Sequence, residues 1–78
     1  MSEHRPSGEA ARLLKHPMLV AMFDQHEKDA MERAINAPVG DDETRRAATG
    51  EVRAIRSVRQ KLALAAEGRV RLPNDPGA

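Results

Sequence analysis

The sequence predicts an all-α protein, an antiparallel helical hairpin preceded by a short N-terminal helix. Three observations lead there. Two long stretches, 17–36 and 42–67, carry apolar residues at three- and four-residue spacing, the period of an amphipathic helix. The connection between them, about five residues with Pro38 and Gly40, is short, and short connections make neighbouring helices antiparallel. Helix start and stop residues stand at the ends of each stretch.

The first element is a helix over 8–15. Ser7 precedes a run of good helix formers with Glu9 in its first turn, so its hydroxyl can cap the free backbone N–H groups there. His16 is the expected break, because a residue before proline avoids the α region, and Pro17 suits the first position of a second helix. In that helix Leu19, Val20, Met22, Phe23, Ala30, Met31, Ala34 and Ile35 form one stripe, interrupted at its middle by His26 and Glu27. Pro38 ends it, since proline disfavours helix at Ala37.

The third helix, 42–67, has the strongest start. Asp41 or Asp42 caps it and Glu43 sits in its first turn, where acids meet the positive end of the helix dipole. Ala48, Val52, Ile55, Val58, Leu62, Ala65 and Ala66 follow at helical spacing, and Gly68 stands where a left-handed cap residue would close the run. Gly50 lies inside the helix at a cost of about 1 kcal/mol against alanine. It reads either as a tolerated glycine or as part of a small patch, Ala47 to Gly50, that admits a neighbouring helix closely. Residues 7–68 make a single helical domain, with flexible tails at 1–6 and 69–78.

Pairing the helices outward from the loop sets Ile35 near Ala47, Met31 near Gly50, Phe23 near Val58 and Leu19 near Leu62, with Leu13 and Leu14 folded over the open end. Such a hairpin leaves part of each stripe wet. A single core below about 80 residues rarely supplies more than about 3–5 kcal/mol, and a chain of 78 residues without cysteine has no disulfide to add. The sequence therefore predicts completion by oligomerisation or by docking on a partner.

The charged fraction is 32%, yet the formal charge is only +1, so any electrostatic recognition has to come from the distribution of charge. Helix 17–36 holds Asp24, Glu27, Asp29 and Glu32 against Lys28 and Arg33, a net charge of −2. Residues 43–67 of the third helix hold Arg45, Arg46, Arg53, Arg56, Arg59 and Lys61 against Glu43, Glu51 and Glu67, a net charge of +3. Two readings follow. Either the faces attract each other across the hairpin, or those six bases form a ridge for an acidic protein surface or a nucleic acid. The single aromatic, Phe23, belongs to the core stripe and leaves no platform on which bases could stack.

Catalytic and metal readings find little footing. His26-Glu27 begins like the zinc-protease helix motif, but Ala30 occupies the place of the second histidine. There is no glycine-rich phosphate loop and no nucleophile with a plausible base. The expectation is a non-enzyme without cofactor or metal. The polar start of the chain has no apolar signal region, and no window approaches the ~20 apolar residues of a membrane span. A soluble, cytoplasmic protein is expected.

The run Leu13-Leu14-Lys15-His16-Pro17, a helix with Phe23, a polar turn with Asp41-Asp42-Glu43 and a long helix ending in Leu62 and Gly68 resembles small helical-hairpin proteins encoded in the structural-gene regions of tailed bacteriophages. The resemblance spans about Leu13 to Gly68 as a pattern, and no single motif carries a residue's role across. It implies a virion or head-assembly accessory, in the host cytoplasm or the virion, that binds a capsid, portal or scaffold surface. The expected function is thus a protein–protein interaction module that binds itself and a larger protein, the alternative being a nucleic-acid-binding module that uses the Arg-rich third helix.

Overall fold

Each helix begins where a side chain takes up backbone N–H groups that the first turn leaves unpaired. The computed structural model describes residues 5–71. In it α1 (Gly8–Lys15), α2 (Pro17–Asn36) and α3 (Asp42–Ala66) follow one another, with no strand among the described residues. The Ser7 hydroxyl accepts from the N–H of Ala10 at 3.0 Å. At the start of α2 the His16 Nδ1 accepts from the Leu19 N–H at 3.4 Å, with His16 extended ahead of Pro17. Of the two aspartates that could cap α3 it is Asp41 that does so, its Oδ1 accepting from the Thr44 N–H at 3.1 Å.

The helix ends are equally specific. Ala37 is extended before Pro38 and closes α2, and Gly40, at φ 95°, supplies the left-handed turn residue. At the end of α3, Gly68 has φ 78°. Its N–H donates to the Ala65 carbonyl at 3.0 Å, and the Arg69 N–H donates to the Leu64 carbonyl at 2.8 Å. This pair of bonds is a Schellman cap, and half-buried Val70 beyond it packs on the core. The tails expected at 1–6 and 69–78 lie mostly outside the described residues.

Gly50 inside α3 and Gly68 just beyond its end differ in sign. A Cβ built on Gly50 meets nothing within 4 Å, so Gly50→Ala is expected to stabilise the fold by about 0.5–1 kcal/mol. Gly68→Ala forces an L side chain into the left-handed region and is expected to cost about 1–2 kcal/mol. Thermal melts should therefore move up for the first variant and down for the second, by about 4–8 °C per kcal/mol.

Packing draws α1 onto the open end of the hairpin. Ala10, Leu62 and Ala65 form a buried cluster, with Leu13, Leu14, Phe23 and Ala66 against it. The Ser7 N–H also donates to the Ala65 carbonyl at 2.9 Å, which fastens the start of α1 to α3. As the sequence predicted, Leu13 and Leu14 close that end. Among the described residues seven apolar ones are buried, but four are alanines, Ala10, Ala30, Ala48 and Ala65; of these seven only Val52, Ile55 and Leu62 are large. Alanine at a helix contact lets the axes approach and contributes little apolar area.

The pairing of α2 with α3 runs further along α3 than the sequence reading had it. Phe23 packs on the Leu62 cluster, while its expected partner Val58 is 47% exposed. Met31 shares a groove with Thr49 and Val52, and Gly50 is exposed with no neighbour on its Cα face. Ile35 and Ala47, expected to meet, are both exposed. The reason lies at the turn. Arg45 reaches back to the carbonyls of Ala37 and Pro38 at 3.2 and 3.3 Å, so the first turn of α3 is spent closing the loop and side-by-side packing starts a turn later.

Two helices of 20 and 25 residues lying together make an elongated body. Its radius of gyration is 15.8 Å, against about 11–12 Å for a compact domain of this length.

Candidate interaction surfaces

The six bases predicted to form a ridge divide into two groups. Arg45, Arg56 and Arg59 are engaged within the chain. Arg45 bonds the Asp42 carboxylate at 3.0 Å as well as the two turn carbonyls; a guanidinium there also neutralises the negative end of α2. Arg56 Nε donates to Glu27 Oε1 at 2.9 Å. Arg59 donates to Glu27 Oε2 at 2.6 Å and to Asp24 Oδ1 at 2.7 Å, and its guanidinium carbon stands 5.3 Å from the centre of the Phe23 ring, within cation–π range. Its hydrogen bonds to Asp24, then to Glu27, hold Arg59 above the usual guanidinium range.

Arg46, Arg53 and Lys61 are exposed and form no ion pair among the described residues. Arg46 and Arg53 flank Gly50 in an open polar groove of about 400 Å³ on the outside of α3. The attraction between the helices thus uses two of the six bases, Arg56 and Arg59, while Arg45 closes the turn and Arg46, Arg53 and Lys61 stay exposed.

The interruption in the α2 stripe has a structural cause. Glu27 points at α3, its side chain only 16% exposed, and is the acid shared by Arg56 and Arg59. His26 lies outside, its Nε2 3.8 Å from Glu51, and Glu51 accepts from Arg33 at 2.6 Å. Sequence reasoning took Glu27 for a gap. The available signal was the pair Arg56 and Arg59 at three-residue spacing on the facing helix.

Two carboxylates carry a pH signature. The hydroxyl and N–H of Thr44 hold Asp41 below the usual carboxylate range, and the Arg33 guanidinium does the same for Glu51. A carboxylate whose pKa is depressed by folding stabilises the fold above its unfolded pKa, and that contribution is lost as pH falls through the folded value. The melting temperature should therefore be flat near neutrality and decline below about pH 4. Glu51→Gln should flatten part of the acid decline in a pH series of thermal melts, and added salt should reduce it.

Apolar side chains form two further surfaces. A groove of about 210 Å³ at the α1–α2 junction is lined by Leu13, His16, Met18, Leu19 and Met22. One of about 260 Å³ near the turn is lined by Met31, Ala34, Ile35, Thr49, Val52 and Arg56. Both are smaller than the about 300–1,000 Å³ of ordinary small-molecule sites. Among the described residues no three His, Cys, Asp or Glu side chains converge as a metal site, and no helix is long and apolar enough to cross a membrane. His26 and Asp29, a possible metal pair by spacing, are engaged separately: His26 faces Glu51 and Asp29 accepts from Gln25.

What this architecture defines is a class by fold alone, a three-helix all-α chain built on a hairpin. No protein-family model matches the sequence, and comparison with curated proteins and with solved structures finds no significant match.

Proposed function

We propose that this protein is a small, non-catalytic protein–protein interaction module. The carrying observation is an imbalance of apolar side chains. Met18, Met22, Met31, Ile35, Val39 and Val58 are 46–103% exposed, whereas among the described residues three large apolar ones are buried. Single exposed apolar residues are ordinary; here four of the six line grooves at opposite ends of α2, Met18 and Met22 at one end and Met31 and Ile35 at the other. Methionine is well suited to such surfaces, being unbranched and polarizable.

The test is site-specific photo-crosslinking in producing cells. A photoreactive residue at Met22 or Ile35 should give discrete protein adducts that the same residue at Lys61 does not. Uniform or absent adducts at both grooves would overturn the reading. In the form the bacteriophage resemblance implies, the partner is a capsid, portal or scaffold protein. The chain should then co-purify with particles or assembly intermediates, and recovery only in free cytosol would count against it.

A second reading, nucleic-acid binding, rests on outward-facing Arg46, Arg53 and Lys61. Neutralising three phosphates limits the slope of log affinity against log salt to about −3. Absence of duplex DNA or RNA binding at low salt removes this alternative.

A further inference from the structure

We infer that the polar groove on the outside of α3 docks a foreign acidic helix, one whose two carboxylates, seven residues apart, meet Arg46 and Arg53 on either side of Gly50. This names the partner chemistry of the interaction module proposed above and rests on that reading. Within the groove Asp42 is engaged by Arg45 at 3.0 Å, and the Thr49 hydroxyl donates to the Arg45 carbonyl at 2.8 Å. The uncompensated charge is therefore +2. It belongs to the exposed guanidinium groups of Arg46 and Arg53, which have no ion pair among the described residues. Guanidinium groups bind carboxylates through paired hydrogen bonds. Seven residues span about 10 Å of helix axis, so acids at the same spacing on a helix alongside lie opposite the two arginines.

Gly50 stands between them, four residues after Arg46 and three before Arg53, and so on the same face of α3. A Cβ built on it meets nothing within 4 Å. Packing within the chain thus does not call for glycine at a place where glycine weakens a helix. What the missing side chain does is lower the floor of the groove, and side chains at the contact set how closely two helices approach. Lys61, eight residues beyond Arg53 and about 12 Å further along α3, is not part of the groove.

Three observations select a foreign acidic helix over a polyphosphate and over a second copy. The groove shares Thr49 with the apolar groove that holds Met31, Ile35 and Val52, so one amphipathic helix can set acids on the arginines and an apolar edge beside them. A phosphate backbone has no such edge. Asp42 and Glu43 occupy the first turn of α3, where they repel a continuous polyanion but not two discrete carboxylates. Finally, no two acidic residues of this chain stand seven apart, and Asp29 and Glu32, the acids of α2 without an ion pair among the described residues, are three apart. A second copy lacks the matching pair. Because both arginines are exposed, each contact is weak, and the groove orients and steers a partner more than it holds one.

Backbone amide NMR of the full chain at low salt, titrated with a capped helical peptide of alanine and glutamine, tests this. The matched peptide carries two glutamates seven residues apart with alanine between them; one control has glutamine in their place, and another sets the glutamates on opposite faces. The matched peptide should shift the amides of 46–53 with a dissociation constant of about 1 mM or below, and each control should bind at least about fivefold more weakly. Arg46→Gln and Arg53→Gln should each weaken the matched peptide about 2–5-fold. Gly50→Gln should weaken it at least about fivefold while melting no lower than the wild type, since glutamine is the better helix former; that loss then reports the groove and not the fold. Absence of shifts at about 5 mM peptide overturns the inference, as does equal binding of either control or a Gly50→Gln variant that binds like the wild type. A short DNA duplex that shifts 46–53 at lower concentration than the matched peptide overturns it in favour of phosphate. None of these results bears on the adducts at Met22 and Ile35, which test the interaction reading separately.

Discussion

Leu62→Ala is expected to lose most of the helical circular dichroism at 222 nm at 25 °C, or to melt at least 10 °C below the wild type. Leu62 is 8% exposed and is the one large side chain at the buried centre of the cluster on which residues of α1, α2 and α3 pack. The other members of that cluster's buried centre are Ala10 and Ala65, which have no reach to refill the space. Truncating a buried leucine costs about 2–5 kcal/mol, the larger values where the surroundings cannot collapse. That range overlaps the about 3–5 kcal/mol that a core of this size supplies. Ile55→Ala, in the middle of the α2–α3 contact, removes similar volume but leaves α1 docked. A Leu62→Ala protein that melts within about 5 °C of the wild type would mean that the cluster is not where stability is held.

Much of this architecture can be read from single residues, because its boundaries are set by local chemistry. Ser7, Pro17, Asp41, Pro38 and Gly68 act on backbone groups within a few positions of themselves, so no knowledge of the tertiary fold is needed to place 8–15, 17–36 and the start of α3. The last helix ends at Ala66 with Glu67 as its cap residue, one residue from the expected end. The closure of the open end by Leu13 and Leu14 was also legible, since a short apolar helix beside a hairpin has one place to bury its leucines.

The register was not legible, for a reason that is not local. Counting outward from the loop assumes that every residue after it is available for pairing, and Arg45 takes the first turn of α3 out of that count. The same displacement turned Val58 to solvent and set Arg59, instead of an apolar residue, over Phe23. The basic ridge shows the matching limit for sites. A net charge of +3 over residues 43–67 says nothing about which guanidinium groups a facing helix consumes. Only the geometry separates Arg45, Arg56 and Arg59, which hold the hairpin, from Arg46, Arg53 and Lys61, which face outward.

That separation gives Glu27 an energetic role of its own, testable by a double-mutant cycle with Arg59. Glu27→Gln should destabilise the chain by about 1–2 kcal/mol. The figure exceeds the 0–1 kcal/mol of exposed pairs because the side chain is only 16% exposed and bonds two arginines. It stays below the 3–5 kcal/mol of broken buried pairs because Arg56, at 65% exposure, can return to water. Arg59→Met should cost a comparable amount while keeping apolar contact with Phe23. If the two side chains act as a unit, the double variant will be more stable than the sum of the single effects predicts, by about 1 kcal/mol, and this coupling will shrink as salt rises. Glu27→Leu supplies the sharper contrast. It restores the apolar stripe of α2 while Arg59 keeps Asp24 and Arg56, 65% exposed, returns to water, so it should be less harmful than Glu27→Gln. Strict additivity in the cycle would show that the pairing across the hairpin is incidental, and a Glu27→Leu variant less stable than Glu27→Gln would show that position 27 gains nothing from apolar burial.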